Sequence, residues 1–115
     1  SGIEQFVSKG IVWARSGDLY FFNTHLQAYG EDAVRRKQLQ EVTDFIGNKT
    51  GVLGGDFNMN IEGVGTDPIP PLPTWGKRGG KAEERLDYLL LFNLEGEGGV
   101  DRESYSDHSA LWVTL

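Results

Sequence analysis

The sequence predicts an α/β (α+β) domain built mainly on antiparallel sheet with one main helix. Three observations carry that class. Short runs rich in β-branched and aromatic residues end at clusters of Gly, Asn and Asp. Only Glu31 to Ile46 has helical periodicity over any length. The strand-like runs are almost continuously apolar, the pattern of a sheet covered on both faces. At 115 residues the chain makes a single domain, 1–115, near the small end for an α/β enzyme.

Lys9 to Arg15 is β-rich and closes on Ser16-Gly17-Asp18, a turn signal; Leu19 to Thr24 follows at once. The two read as an antiparallel hairpin that delivers His25 to a strand end. Ser1 to Gln5 carries no element and reads as a processed end or a cloning scar, without the basic and apolar regions of a signal peptide. The helix spans Glu31–Ile46. Its acidic start suits the positive end of the helix, and Leu39, Val42, Phe45 and Ile46 line one side. Glu31 and Arg35 make an i,i+4 pair, Arg35-Arg36-Lys37 reads as the solvated side, and Gly47-Asn48 is the stop. Gly51 to Asp56 is the next strand.

Residues 61–80 hold all four prolines and read as a long irregular loop, a kind that is usually functional. Within it Trp75 either stacks on a substrate or pins the loop. Leu86 to Phe92 is a buried strand, Gly96 to Gly99 a turn-rich connection, and Ala110 to Leu115 the last strand. The total is five strands and one helix, with no internal repeat.

Composition narrows the chemistry. The balance of 11 basic against 17 acidic residues gives a formal charge of -6, so no basic field draws in nucleic acid. A bound divalent cation can still reverse the sign of a site locally. With no Cys, disulfides, thiolate metal sites and a cysteine nucleophile are excluded. No apolar run approaches the roughly 20 residues of a membrane helix, so no transmembrane segment is expected.

The chain is organised around Leu53-Gly54-Gly55-Asp56-Phe57-Asn58-Met59-Asn60. If the strand continues, its period of two sends Asp56 and Asn58 to one side. A carboxylate there can hold a hard cation or orient a water, and an amide can donate to a phosphate oxygen. The alternative is an Asp/Asn-rich turn with no chemistry. The two histidines, His25 and His108, also fall at strand ends, as does Asp87. Acids, an amide and imidazoles gathered at strand ends are what metal-assisted phosphoester hydrolysis uses.

Asn23-Thr24-His25-Leu26, Gly55-Asp56-Phe57-Asn58, Arg85-Leu86-Asp87-Tyr88 and Ser106-Asp107-His108, in that order, resemble the endonuclease/exonuclease/phosphatase superfamily, which has the DNase I-like fold. The resemblance implies a metal-dependent phosphodiesterase acting through water attack on a phosphate, with Mg²⁺, or Mn²⁺ or Ca²⁺ in its place. It implies that Asp56 orients or deprotonates the water and Asn58 contacts the scissile phosphate. Asp107 would assist the metal, with His108 and Asp56 as further ligands. His108 would act as base or phosphate-stabilising group, Asp87 would orient it, and His25 would stabilise developing charge or assist the leaving oxygen. Thr24-His25-Leu26-Gln27-Ala28, with Lys9-Gly10 and Arg36-Lys37-Gln38, is most similar to the neutral sphingomyelinase branch.

Domains of that superfamily are larger, with two stacked sheets and outer helices. The chain is therefore expected to be the C-terminal half of a DNase I-like four-layer α/β sandwich. An N-terminal half or a second chain would complete it. The phosphodiester substrate would be a phospholipid head group or nucleic acid. A nuclease of the same superfamily, or a non-catalytic half-domain that self-associates or binds a partner, are the alternatives.

Overall fold

The computed structural model describes residues 4–8, 10–28, 30–61, 74–76, 84–101 and 106–115. The elements are β1 (Glu4–Ser8), β2 (Ile11–Ser16), β3 (Leu19–His25), α1 (Asp32–Ile46), β4 (Thr50–Asp56), β5 (Asp87–Phe92), β6 (Glu97–Asp101) and β7 (Ala110–Thr114). One sheet runs in the order β1-β2-β3-β4-β5, and β6 pairs with β7 in a second, two-stranded sheet. β1, β2 and β3 meander antiparallel. β3 and β4 are parallel, so the chain has to cross over, and α1 is that crossover. β5 returns antiparallel to β4. Among the described residues no helix is long and apolar enough to cross a membrane.

α1 begins just after Glu31, with Asp32 in its first turn, and stops where Gly47 takes φ 59 and donates its N–H to the Thr43 carbonyl. Its buried stripe is Arg35, Leu39, Val42 and Ile46. The three aliphatic members share one core with Ile11, Phe22, Leu53, Tyr88 and Leu90 of the sheet. Burying each such side chain contributes roughly 1.5–3 kcal/mol, which is what holds the crossover against the sheet. Arg35 departs from the expected solvated side: it is buried, bonds Asp32 instead of Glu31, and donates to the Gln27 carbonyl. Its guanidinium ties the helix to the chain leaving β3.

Strand alternation sorts the sheet into two faces. One carries Ile11, Trp13, Tyr20, Phe22, Leu53 and Leu90 and receives α1. The other carries Val12, Phe21, Val52 and Leu89, and its far end carries His25, Asp56 and Asp87. Here the expectation of cover on both faces meets a difference, because Phe21 is 45% and Val12 39% exposed. β7 approaches this second face, leaving an apolar hollow of about 470 Å³ whose walls include Phe21, Val52, Leu89, Leu111 and Trp112.

Two further elements differ from expectation. β1 pairs along β2 where the sequence offered no strand signal. β6 replaces the expected turn-rich connection, because pairing with β7 overrides the weak strand propensity of its glycines. Of the expected loop 61–80, only Ile61 and 74–76 lie within the described residues.

Candidate active site

Parallel pairing of β3 with β4 sets His25 opposite Asp56, and antiparallel pairing of β4 with β5 sets Asp56 opposite Asp87. Side chains directly opposite share a face, so these three form one row across neighbouring strands. His108 enters from the chain before β7. Its Nδ1 lies 2.7 Å from Asp87 Oδ2, and its Nε2 lies 3.6 Å from Asp56 Oδ2. His25 Nε2 stands 3.6 Å from the same Asp56 oxygen. An open hollow of about 380 Å³, lined by Asn23, His25, Gly54, Asp56, Asp87 and Ser109 among others, gives access to the row.

Of the two glycines before Asp56, Gly55 is the one that β3 crowds, while Gly54 leaves room for the Leu89 side chain of β5. At Gly55, φ is 150 and an added Cβ would meet the Thr24 carbonyl oxygen at 1.9 Å. Beyond Asp56 the strand ends in a tight bend, with Asn58 at φ 51. The Asn58 N–H donates to Asp56 Oδ1 at 2.9 Å, and its side-chain amide donates to the Leu26 carbonyl at 2.7 Å. Asn58 thus joins the chain after β3 to the chain after β4. Phe57, Met59 and Ile61, alternating with it along the chain, are buried in the core and anchor the bend.

His108 is held by a short bridge from Trp75, which pairs with both Glu84 and His108. Next to it, fully buried Thr74 donates from Oγ1 to Asp87 Oδ2 at 2.8 Å and accepts the Leu86 and Asp87 N–H groups at 3.0 Å each. Sequence reasoning passed over Thr74; its only signal was a place beside a large aromatic in a proline-rich loop. The Trp75 indole donates to Asp107 Oδ2 at 3.2 Å, so of the two roles open to Trp75, pinning has a visible partner. Asp107 itself is exposed. The oxygen and nitrogen atoms that converge within 4.8 Å belong to Asp56, Asp87 and His108, and Asp107 stands outside that trio.

Burial pushes the Asp56 carboxyl up, and the Asp87 charge adds to this; the Asn58 N–H and the two imidazoles oppose it without cancelling it. Burial alone would lower His108. The hydrogen bond to Asp87, joined by the charges of Asp87, Asp56 and Asp107, outweighs it and leaves the imidazole above its ordinary value. Asp107 is held below the usual carboxylate range, chiefly by the Trp75 indole. A carboxylate that meets an imidazole on each side can orient a water and exchange its proton. Two carboxylates and an imidazole also suit a hard divalent cation, whose remaining positions are taken by water or phosphate oxygen.

No protein-family profile and no curated protein sequence matches the chain. Solved structures do. Truncated TDP2 of Caenorhabditis elegans has a TM-score of 0.54 at 21% identity, over 96% of this chain and 62% of that one. A second structure of the same worm protein gives 0.53 at 20% identity, over 96% of this chain and 48% of that one. The chain therefore spans about half to three-fifths of the length of the structures it matches. The mixed sheet with its single described crossover helix has the DNase I-like fold.

Proposed function

We propose that the chain carries the reacting half of a divalent-metal-dependent phosphodiester hydrolase, completed by the remaining layer of the fold. One observation supports this above the rest: Asp56 Oδ2 lies 3.6 Å from the Nε2 atoms of both histidines, and one of those imidazoles is hydrogen-bonded to Asp87. Asp56 orients a water toward phosphorus and takes its proton, directly or through His108. As the new P–O bond forms, the ester P–O bond on the far side breaks. His25, on the other flank of Asp56, is placed to donate to the leaving oxygen. Asp87 keeps His108 turned toward the reaction. A divalent ion held by Asp56 and Asp87, with His108 or Asp107 in support, would neutralise phosphate charge and polarise the phosphorus. Asn58, as a phosphate donor, has one amide proton left after its bond to Leu26.

The substrate reading is a head-group phosphodiester of the sphingomyelin kind, supported by His25-Leu26-Gln27-Ala28 and by the charge of -6. A nucleic-acid phosphodiester is the second reading, favoured by the fold shared with TDP2. The test is a panel of sphingomyelin, an oligonucleotide and a generic bis-aryl phosphate, with Mg²⁺ or chelator, on the chain alone and with its completing segment. Metal-dependent turnover abolished in Asp56→Ala is expected. Turnover that survives Asp56→Ala would sink the proposal.

A further inference from the structure

We infer that Thr74 is a positioning residue that decides which nitrogen of His108 carries the proton. The argument is a count of hydrogens. A threonine hydroxyl has one proton and two acceptor lone pairs. Both lone pairs are taken, by the N–H groups of Leu86 and Asp87 at 3.0 Å each. The one proton is left for Asp87 Oδ2 at 2.8 Å. Thr74 is 0% exposed, and turning its hydroxyl away would leave the part-buried Leu86 and Asp87 N–H groups without this acceptor.

Asp87 Oδ2 is therefore obliged to accept from Thr74. His108 Nδ1 reaches the same oxygen at 2.7 Å, and in that contact it has to be the donor. The neutral ring then carries its hydrogen on Nδ1 and turns the Nε2 lone pair toward Asp56, 3.6 Å away. The hydroxyl is itself anchored. The Thr74 N–H donates to the Glu84 carbonyl at 2.8 Å, and the Ser109 N–H donates to the Thr74 carbonyl at 2.7 Å. One residue thus ties the entrance of β5 to the segment that bears His108, and hands a fixed proton direction from backbone to imidazole.

The consequence for turnover rests on the hydrolase reading, but the tautomer does not, and the test keeps them apart. Imidazole ¹⁵N–¹H correlation spectra are recorded on the full chain above the pH at which the rings lose charge, with His25→Gln to assign the two histidines. Wild type is expected to show His108 as the Nδ1–H form. Thr74→Val keeps the shape and removes the proton, and should give a mixture of tautomers. Thr74→Ser keeps the hydroxyl and should restore the wild-type spectrum, which a role limited to methyl packing would not do. A pure Nδ1–H spectrum in Thr74→Val, or an Nε2–H wild type, overturns the inference; the wild-type spectrum decides even if the valine variant does not fold. In the assembled hydrolase, Thr74→Val should lower kcat about 10- to 100-fold with KM within about twofold. A correct tautomer in an assembled protein that hydrolyses nothing with Mg²⁺ present would sink the hydrolase reading and leave Thr74 its role.

Discussion

Asp56 is placed against its own solvation. It is half-buried, faces a second carboxylate across one strand spacing, and its acid form is favoured by both. A carboxyl raised in the folded chain binds more protons folded than unfolded, so its contribution to stability falls as pH rises above the ordinary Asp value. His108 is also raised. Its contribution is full below the ordinary imidazole value of about 6.5 and is lost as pH climbs through its folded value. The two act in one direction. With chelator present, Tm should decline from mildly acid to mildly alkaline pH, and Asp56→Asn should flatten the acid part of the decline and raise Tm at neutral pH by a few degrees, while removing turnover. Mg²⁺ should raise the wild-type Tm and have little effect on Asp56→Asn. A neutral-pH Tm lowered by Asp56→Asn would show that the carboxylate is a stabilising member of the fold and not a strained one. His25 and Asp56 were legible because each closes an apolar run, and Asp87 and His108 because each stands at the start of one. Thr74 and the Asn58–Leu26 bond were not, since their partners lie 13 and 32 positions away and no local pattern encodes them.

At the scale of elements, the row His25–Asp56–Asp87 depends on how closely β3 and β4 lie. Gly55→Ala sets a methyl carbon against the Thr24 carbonyl at a φ that L side chains rarely adopt. The expected result is a loss of at least about 3 kcal/mol in urea unfolding, with turnover lost alongside. A near-neutral Gly55→Ala would mean that the pairing is looser than its register implies. Tyr88 supports the same strands differently: its hydroxyl accepts from the Ile61 N–H at 3.1 Å and donates to the Arg85 carbonyl at 2.9 Å. Tyr88→Phe strands both groups in a buried setting and should cost about 1–3 kcal/mol while leaving KM unchanged. The hairpin, the helix and the central strands were readable from periodicity and stop signals. β1 and β6 were not, because each is a strand by virtue of its neighbour: β1 lies along β2, and β6 is held by β7 despite two glycines. Arg35 was misread for a similar reason, its burial being set by the Gln27 carbonyl and not by its place in a charged run.

The molecule as a whole is asymmetric about its main sheet. α1 covers one face, while the other keeps Phe21 at 45% exposure, with Trp112 of the small sheet at 52%. The row His25–Asp56–Asp87 closes the end of that same open face, so whatever covers the apolar residues also walls the hollow beside Asp56. The TDP2 structures match nearly all of this chain and extend well beyond it; the proposed completing layer is the cover that the next experiment tests. An uncovered apolar face of this kind associates when nothing fills it. The 115-residue chain alone should therefore show concentration-dependent sedimentation and bind a hydrophobic dye, and both should diminish when the completing segment is added. Phe21→Lys tests the face without touching the row: it should weaken self-association and, equally, recruitment of the segment, lowering turnover of the mixture through assembly and not through the chemical step. Excess segment should then restore kcat. A chain that stays monomeric at all concentrations and turns over substrate unaided, with Phe21→Lys as active as wild type, would mean that the open face is finished as it stands and the site complete on one sheet.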